Sequence, residues 1–175
     1  MSDRSAGYAD AVAAVARAEG NLDVVSDELF RVARALESSD ELRMTLSDRQ
    51  IPAARRQQIV EDLLGDRASD TTIAVASMIV AAGRSSDLGG IAREAVEQNA
   101  RDRGRSVAEV RAAVALTEDQ TERLAAALGA ATGHRVDIKV VVDPNVMGGV
   151  ITTIGDEVID GSVRNRLNQL RDSFQ

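Results

Sequence analysis

The sequence of 175 residues contains no cysteine. Disulfides, thiol nucleophiles and thiolate metal sites are therefore excluded, and the composition suits a reducing compartment. His134 is the only histidine, which rules out a multi-histidine metal centre. Aromatics are limited to Tyr8, Phe30 and Phe174, so the core must be aliphatic. Modules that stack bases on aromatic platforms are thereby excluded. Positive charge is also scarce: 21 basic residues face 28 acidic ones, for a net charge of −7 and a pI near 4.8. Arg55–Arg56 and the Arg101–Arg105 cluster are too small for a nucleic-acid footprint. An acidic chain is repelled by anionic lipid, so any membrane attachment must run through a protein partner. The longest apolar run, Ile73 to Ala82, is broken by Ser77. As a helix it would rise only ~15 Å, too little to span a bilayer. Residues 1–20 lack the basic start and apolar stretch of a signal peptide and are too acidic for a transit peptide. A soluble intracellular protein with no metal or cofactor is expected.

What is present is helical periodicity. Tyr8, Val12 and Val15 recur at helical spacing, with Ala9, Ala13 and Ala16 beside them, and Gly20 ends that helix. Asn21 is placed to cap a second helix with the stripe Leu22, Val25, Leu29, Val32 and Leu36. A short helix with Leu42 and Leu46 follows. Pro52 suits the first position of a fourth helix, which carries Ile59, Val60, Leu63 and Leu64. Ser69 or Asp70 starts a fifth, ending at Gly83. A sixth carries Leu88, Ile91, Ala95 and Val96 and ends near Gly104.

After residue 105 the period changes. Val107 to Leu116 is consistent with a strand, and Thr117 to Gln120 has the spacing of a capping box ahead of a helix with Leu124 and Leu128. Val136 to Val140 alternates as a half-buried strand. Asp143–Pro144–Asn145 reads as a turn into a hairpin partner, Val146 to Ile154, interrupted by Gly148–Gly149. Gly155 to Glu157 turns again into Val158–Ile159, and Ser162 caps a last helix with Val163, Leu167, Leu170 and Phe174 on one face. The expected class is α+β: a six-helix bundle over residues 1–104, then a small α/β domain over 105–175.

Chemical motifs are sparse. His134 sits in a loop near Asp137, but nothing marks a nucleophile. Gly83 to Gly90 lacks the Gly-Lys-Ser/Thr ending of a phosphate loop and follows a helix where a strand should stand. Asp156, Glu157 and Asp160 do not match a calcium-loop spacing. Gly148–Gly149 means either a bulge or a close backbone approach. The helix at 71–82 is apolar nearly all round, so it is either central or covered by a partner on its outer face.

The segment from Val140 to Leu170 closely resembles the C-terminal signature of the ATP synthase delta subunit family, whose mitochondrial member is the oligomycin sensitivity-conferral protein. The match includes Gly148–Gly149, the Gly155–Asp156 turn and Asp160-Gly-Ser162. Tyr8-Ala-Asp-Ala-Val12 resembles the family's opening helix. Leu46-Ser-Asp-Arg-Gln-Ile-Pro52 with Arg55–Arg56 resembles its middle segment. The resemblance covers nearly the whole chain.

It implies a non-catalytic stator subunit of the proton-translocating rotary ATP synthase, present as one copy in a hetero-oligomeric complex. In such subunits a groove between the first and fifth helices receives the N-terminal helix of an alpha subunit. The C-terminal domain engages the end of the b-subunit stalk. On this basis Tyr8, Val12, Val15, Ile73, Ala76 and Val80 are expected to form the alpha groove. Val163, Leu167, Leu170 and Phe174, with Gly148 and Gly149 nearby, are expected at the stalk joint. Val12→Asp or Ala76→Asp is expected to weaken alpha binding while the fold survives. The expected location is the cytoplasmic face of a bacterial plasma membrane, held peripherally. The rivals are a small intracellular enzyme using His134 and Asp137 or the acids at 156–160, and a regulatory adaptor of another assembly.

Overall fold

The computed structural model describes residues 3–163 and 165. Leu167, Leu170 and Phe174 therefore lie outside the described residues. Within the described residues the chain forms seven α-helices and one four-stranded mixed sheet, an α+β protein. It divides into two compact units, Met1–Asn99 and Ala100–Gln175. The division falls inside a helix, ahead of Gly104.

The first unit contains α1 (Asp3–Ala18), α2 (Leu22–Ser38), α3 (Asp40–Ser47), α4 (Ala53–Leu64), α5 (Asp70–Ala81) and most of α6 (Leu88–Asp102). Its core is aliphatic, as the scarcity of aromatics requires: Val12, Val25, Leu29, Ile79 and Ile91 are completely buried. Each such side chain is worth ~1.5–3 kcal/mol relative to exposure. On α1 the buried face is largely alanine (Ala9, Ala13, Ala16), which lets neighbouring helices approach closely.

Start signals differ in detail from expectation. Ser69 caps α5 by accepting the Thr72 N–H, and Ser39 caps α3 through the Leu42 N–H. Asn21 occupies the cap position of α2 but makes no capping bond there; its amide instead donates to the Thr71 hydroxyl at 2.9 Å. A tertiary partner has outcompeted the local one. Pro52 stands one position before the helix, which begins at Ala53.

A carboxylate joins two of these helices. Glu28, on α2, accepts hydrogen bonds from the Ser69 N–H, the Ser69 hydroxyl and the Thr72 hydroxyl at 2.7–2.8 Å, all at the start of α5. Burial alone would raise its pKa. The three hydrogen bonds, aided by Arg31, outweigh that and hold the carboxyl below the usual glutamate value.

The second unit holds β1 (Arg105–Ala112), α7 (Glu118–Thr132), β2 (Arg135–Val142), β3 (Val150–Ile154) and β4 (Glu157–Asp160), in sheet order β2-β1-β3-β4. The Thr117/Gln120 capping box is formed, and Gly133 ends α7 in the left-handed conformation. β1 and β2 are parallel, and α7 supplies the crossover that a parallel pair needs.

The expected hairpin between β2 and β3 does not exist. β3 pairs antiparallel with β1, so residues 143–149 carry the chain from one side of β1 to the other. The strand itself begins at Val150, leaving Val146 to Gly149 in the loop, and β1 ends at Ala112, short of Leu116. The Gly155–Asp156 turn does join paired strands, with Ile154 opposite Glu157. Ala108, Val110, Leu128 and Val136 form the core between the sheet and α7.

Candidate partner-binding surfaces

On α1 the sequence pattern could not separate the side chains that seal the core from those at its margin. Val12 is fully buried, whereas Val15 is 44% exposed and Tyr8 is half-buried against the core edge. On α5, Ala76 and Val80 are closed inside the core and Ile73 is half-buried. Three of the six expected groove residues, Val12, Ala76 and Val80, are therefore core residues. A charge at Val12 or Ala76 would be placed among aliphatic side chains, so the expectation that such variants stay folded is withdrawn.

Two α5 residues not named from the sequence are accessible: Ala74, which is exposed, and Met78, which is 44% exposed. They stand four apart, one helical turn, on the face opposite Ile79 and Ala76. Because α5 is apolar nearly all round, its pattern gave no phase. α1 packs against both α2 and α5, so the accessible Tyr8 and Val15 belong to a helix next to α5.

In the second unit the glycine pair is explained within the chain. Both residues have positive φ, 67° at Gly148 and 72° at Gly149. A Cβ at Gly148 would lie 2.9 Å from Val163 Cγ2, and one at Gly149 would overlap the Gly161 carbonyl oxygen. Of the two readings left open by the sequence, close backbone approach is the one realised. It is made to the segment Gly161 to Val163, where Val163 N–H donates to the Met147 and Gly148 carbonyls at 3.2 Å. Ser162 then accepts the Asn165 N–H, and Asp160 Oδ1 accepts the Ser162 N–H at 2.9 Å. Val163 is 48% exposed, and Met147, Val158 and Ile159 are exposed as well.

Of the groups required by the enzymatic reading, His134 and Asp137 line one open pocket at the end of α7 and the start of β2, together with Arg105. His134 is exposed beside Gly133. Asp137 is bound to Arg105, its carboxylate 2.9 Å from the guanidinium. Asp156, Glu157 and Asp160 are all exposed, and among the described residues no group of three or more histidine or acidic side chains could hold a metal. No described helix is long and apolar enough to cross a membrane.

Comparison with known proteins gives one consistent result. The family model described as ATP synthase delta (OSCP) subunit matches residues 5–174. The ATP synthase subunit delta of Nocardia farcinica is 43% identical over 153 residues, covering 87% of this chain and 56% of that protein. The subunit delta of Kineococcus radiotolerans is 40% identical over 162 residues, covering 91% and 59%. That of Streptomyces coelicolor is 41% identical over 168 residues, covering 94% and 60%. The chain thus spans less than two thirds of the length of these curated relatives. A chain in the cryo-EM structure of the Toxoplasma gondii mitochondrial ATP synthase hexamer has the same fold, with a TM-score of 0.58 at 23% identity, over 97% of this chain and 96% of that one. The chain belongs to the ATP synthase delta (OSCP) subunit family.

Proposed function

We infer that the protein is a non-catalytic stator subunit of a proton-translocating rotary ATP synthase. In this reading it links the catalytic head to the peripheral stalk. The match of the family model to residues 5–174 carries the reading. Accessible apolar side chains in both units fit it.

The mechanism is mechanical. Rotation of the central shaft exerts torque on the head, and an unheld head would turn with the shaft, uncoupling synthesis. A non-covalent joint that buries an amphipathic helix can resist this. At ~25 cal/mol per Å2, an interface of ~800 Å2 per partner supplies ample gross burial, less the ordering costs.

A six-helix bundle over residues 1–104 takes the alpha-subunit N-terminal helix along α1 and α5. Tyr8, Val15 and Ile73 keep their assignment, joined by Ala74 and Met78. Val12, Ala76 and Val80 serve as the floor that holds these residues in place. A small α/β domain over residues 105–175 takes the b-subunit stalk C-terminus through Val163, Leu167, Leu170 and Phe174. Gly148 and Gly149 lie nearby and seat the Gly161–Val163 segment. The subunit acts as one copy, held peripherally at the cytoplasmic face of a bacterial plasma membrane by protein contacts and not by lipid.

Binding of an alpha N-terminal peptide and of a soluble b-subunit fragment tests both joints. Val15→Asp and Met78→Asp should each weaken the peptide at least ~10-fold, ~1.4 kcal/mol, with unchanged helicity. Deletion of residues after 161 should release the b fragment and spare the peptide. Normal peptide affinity in both folded variants would place the alpha site elsewhere, and retained stalk binding by the folded deletion would refute the second joint.

A further inference from the structure

The first unit has a second opening, whose wall shares Ala76 and Val80 with the floor of the proposed groove. A cavity of about 300 Å3 lies among α2, α3, α4, α5 and the start of α6. Its wall is aliphatic: Leu36, Leu42, Leu46, Val60, Leu64 and Val80. Apolar pockets of this size are the usual setting for small ligands. At the ~30 Å3 that one water-sized group takes up, it has room for about ten such groups in a row or cluster.

The mouth is not neutral. Arg31 and Arg67 border it, together with Glu28. Glu28 Oε2 is already committed to Ser69 and Thr72, and its Oε1 stands 3.9 Å from Arg31. Arg67 is exposed and makes no ion pair among the described residues. One carboxylate against two guanidinium groups leaves a net positive rim on an otherwise acidic protein. An aliphatic chamber with a cationic rim is complementary to one chemical class: a straight hydrocarbon chain ending in an anion.

We propose that this cavity is a binding site for a free medium-chain carboxylate, its chain among the leucines of α3 and α4 and its head group at Arg67 and Arg31. A guanidinium recognises a carboxylate by paired N–H donors, so selectivity lies at the head, while affinity comes from the chain. The inference does not depend on the stator reading.

Decanoate is the probe, with decylamine and decanol as controls of opposite and zero head charge. The full chain, labelled at Leu and Val methyl groups, is titrated by NMR. Saturable one-to-one binding is expected, with shifts concentrated at Leu42, Leu46, Val60, Leu64 and Val80. Decylamine should bind at least ~10-fold more weakly. Arg67→Glu, at an exposed position, should weaken decanoate by a similar factor and leave decanol unchanged. Ala35→Trp, which plugs the mouth, should abolish binding of all three. Three outcomes would overturn the proposal: no saturable binding, shifts confined to other surfaces, or equal affinity for decanoate and decylamine with Arg67→Glu silent.

Discussion

Gly149 carries two separate constraints. Its backbone is left-handed, which costs an L-residue ~1–2 kcal/mol, and its missing side chain makes room for the Gly161 carbonyl. Gly133 has the first constraint without the second: φ is 74°, and no other group lies within 4 Å of the place a methyl would take. The two sites therefore separate strain from contact. Gly133→Ala should cost ~1–2 kcal/mol in urea unfolding. Gly149→Ala should cost about 2–5 kcal/mol, because relieving the overlap means moving backbone, an overpacking penalty of ~1–3 kcal/mol on top. It should also disturb the segment that follows β4, visible as amide shifts at Gly161 to Val163. Equal costs at the two positions would show that the close approach is not needed.

At the scale of elements, the joint between α2 and α5 has an electrostatic character that their apolar stripes hide. Glu28 is only 12% exposed at its side chain and takes three donors from the start of α5, where the helix dipole also favours negative charge. Because its pKa is lowered on folding, the ionised carboxylate favours the folded state at any pH above the ordinary glutamate range. That contribution is lost as pH falls through the depressed folded value. Glu28→Gln should destabilise by about 1–3 kcal/mol near neutrality, in line with charge-assisted hydrogen bonds. The gap between wild type and variant should narrow on acidification. Chemical denaturation across a pH series measures this, and a gap independent of pH would remove the carboxylate's charge from the account.

At the scale of the whole molecule, one chain carries two compact units, and the proposed role gives each a different partner. A fragment of residues 1–104 should fold as a helical protein by circular dichroism and bind the alpha peptide within ~3-fold of the full chain, a difference under ~1 kcal/mol. It should not bind the b fragment. A fragment that stays unfolded, or that captures the b fragment, would contradict the division of labour.

Element type was legible from sequence almost throughout. The 3.6-residue stripes of α2 and α4, the Thr117/Gln120 capping box, Gly133 and the Gly155–Asp156 turn are local features, and local chemistry decides them. The family resemblance was legible for the same reason: Gly148–Gly149, Gly155–Asp156 and Asp160-Gly-Ser162 are adjacent in the chain. Three other features were decided only by tertiary structure. The phase of α5 could not be read, because a helix apolar on all sides carries no pattern to mark its outer face; only the fold shows that Met78 is exposed and Val80 buried. The partner of β3 could not be read, because alternation says which face is buried and not which strand lies alongside. The cavity and its arginine rim arise where separate helices of the first unit come together, and no single stretch of sequence contains them.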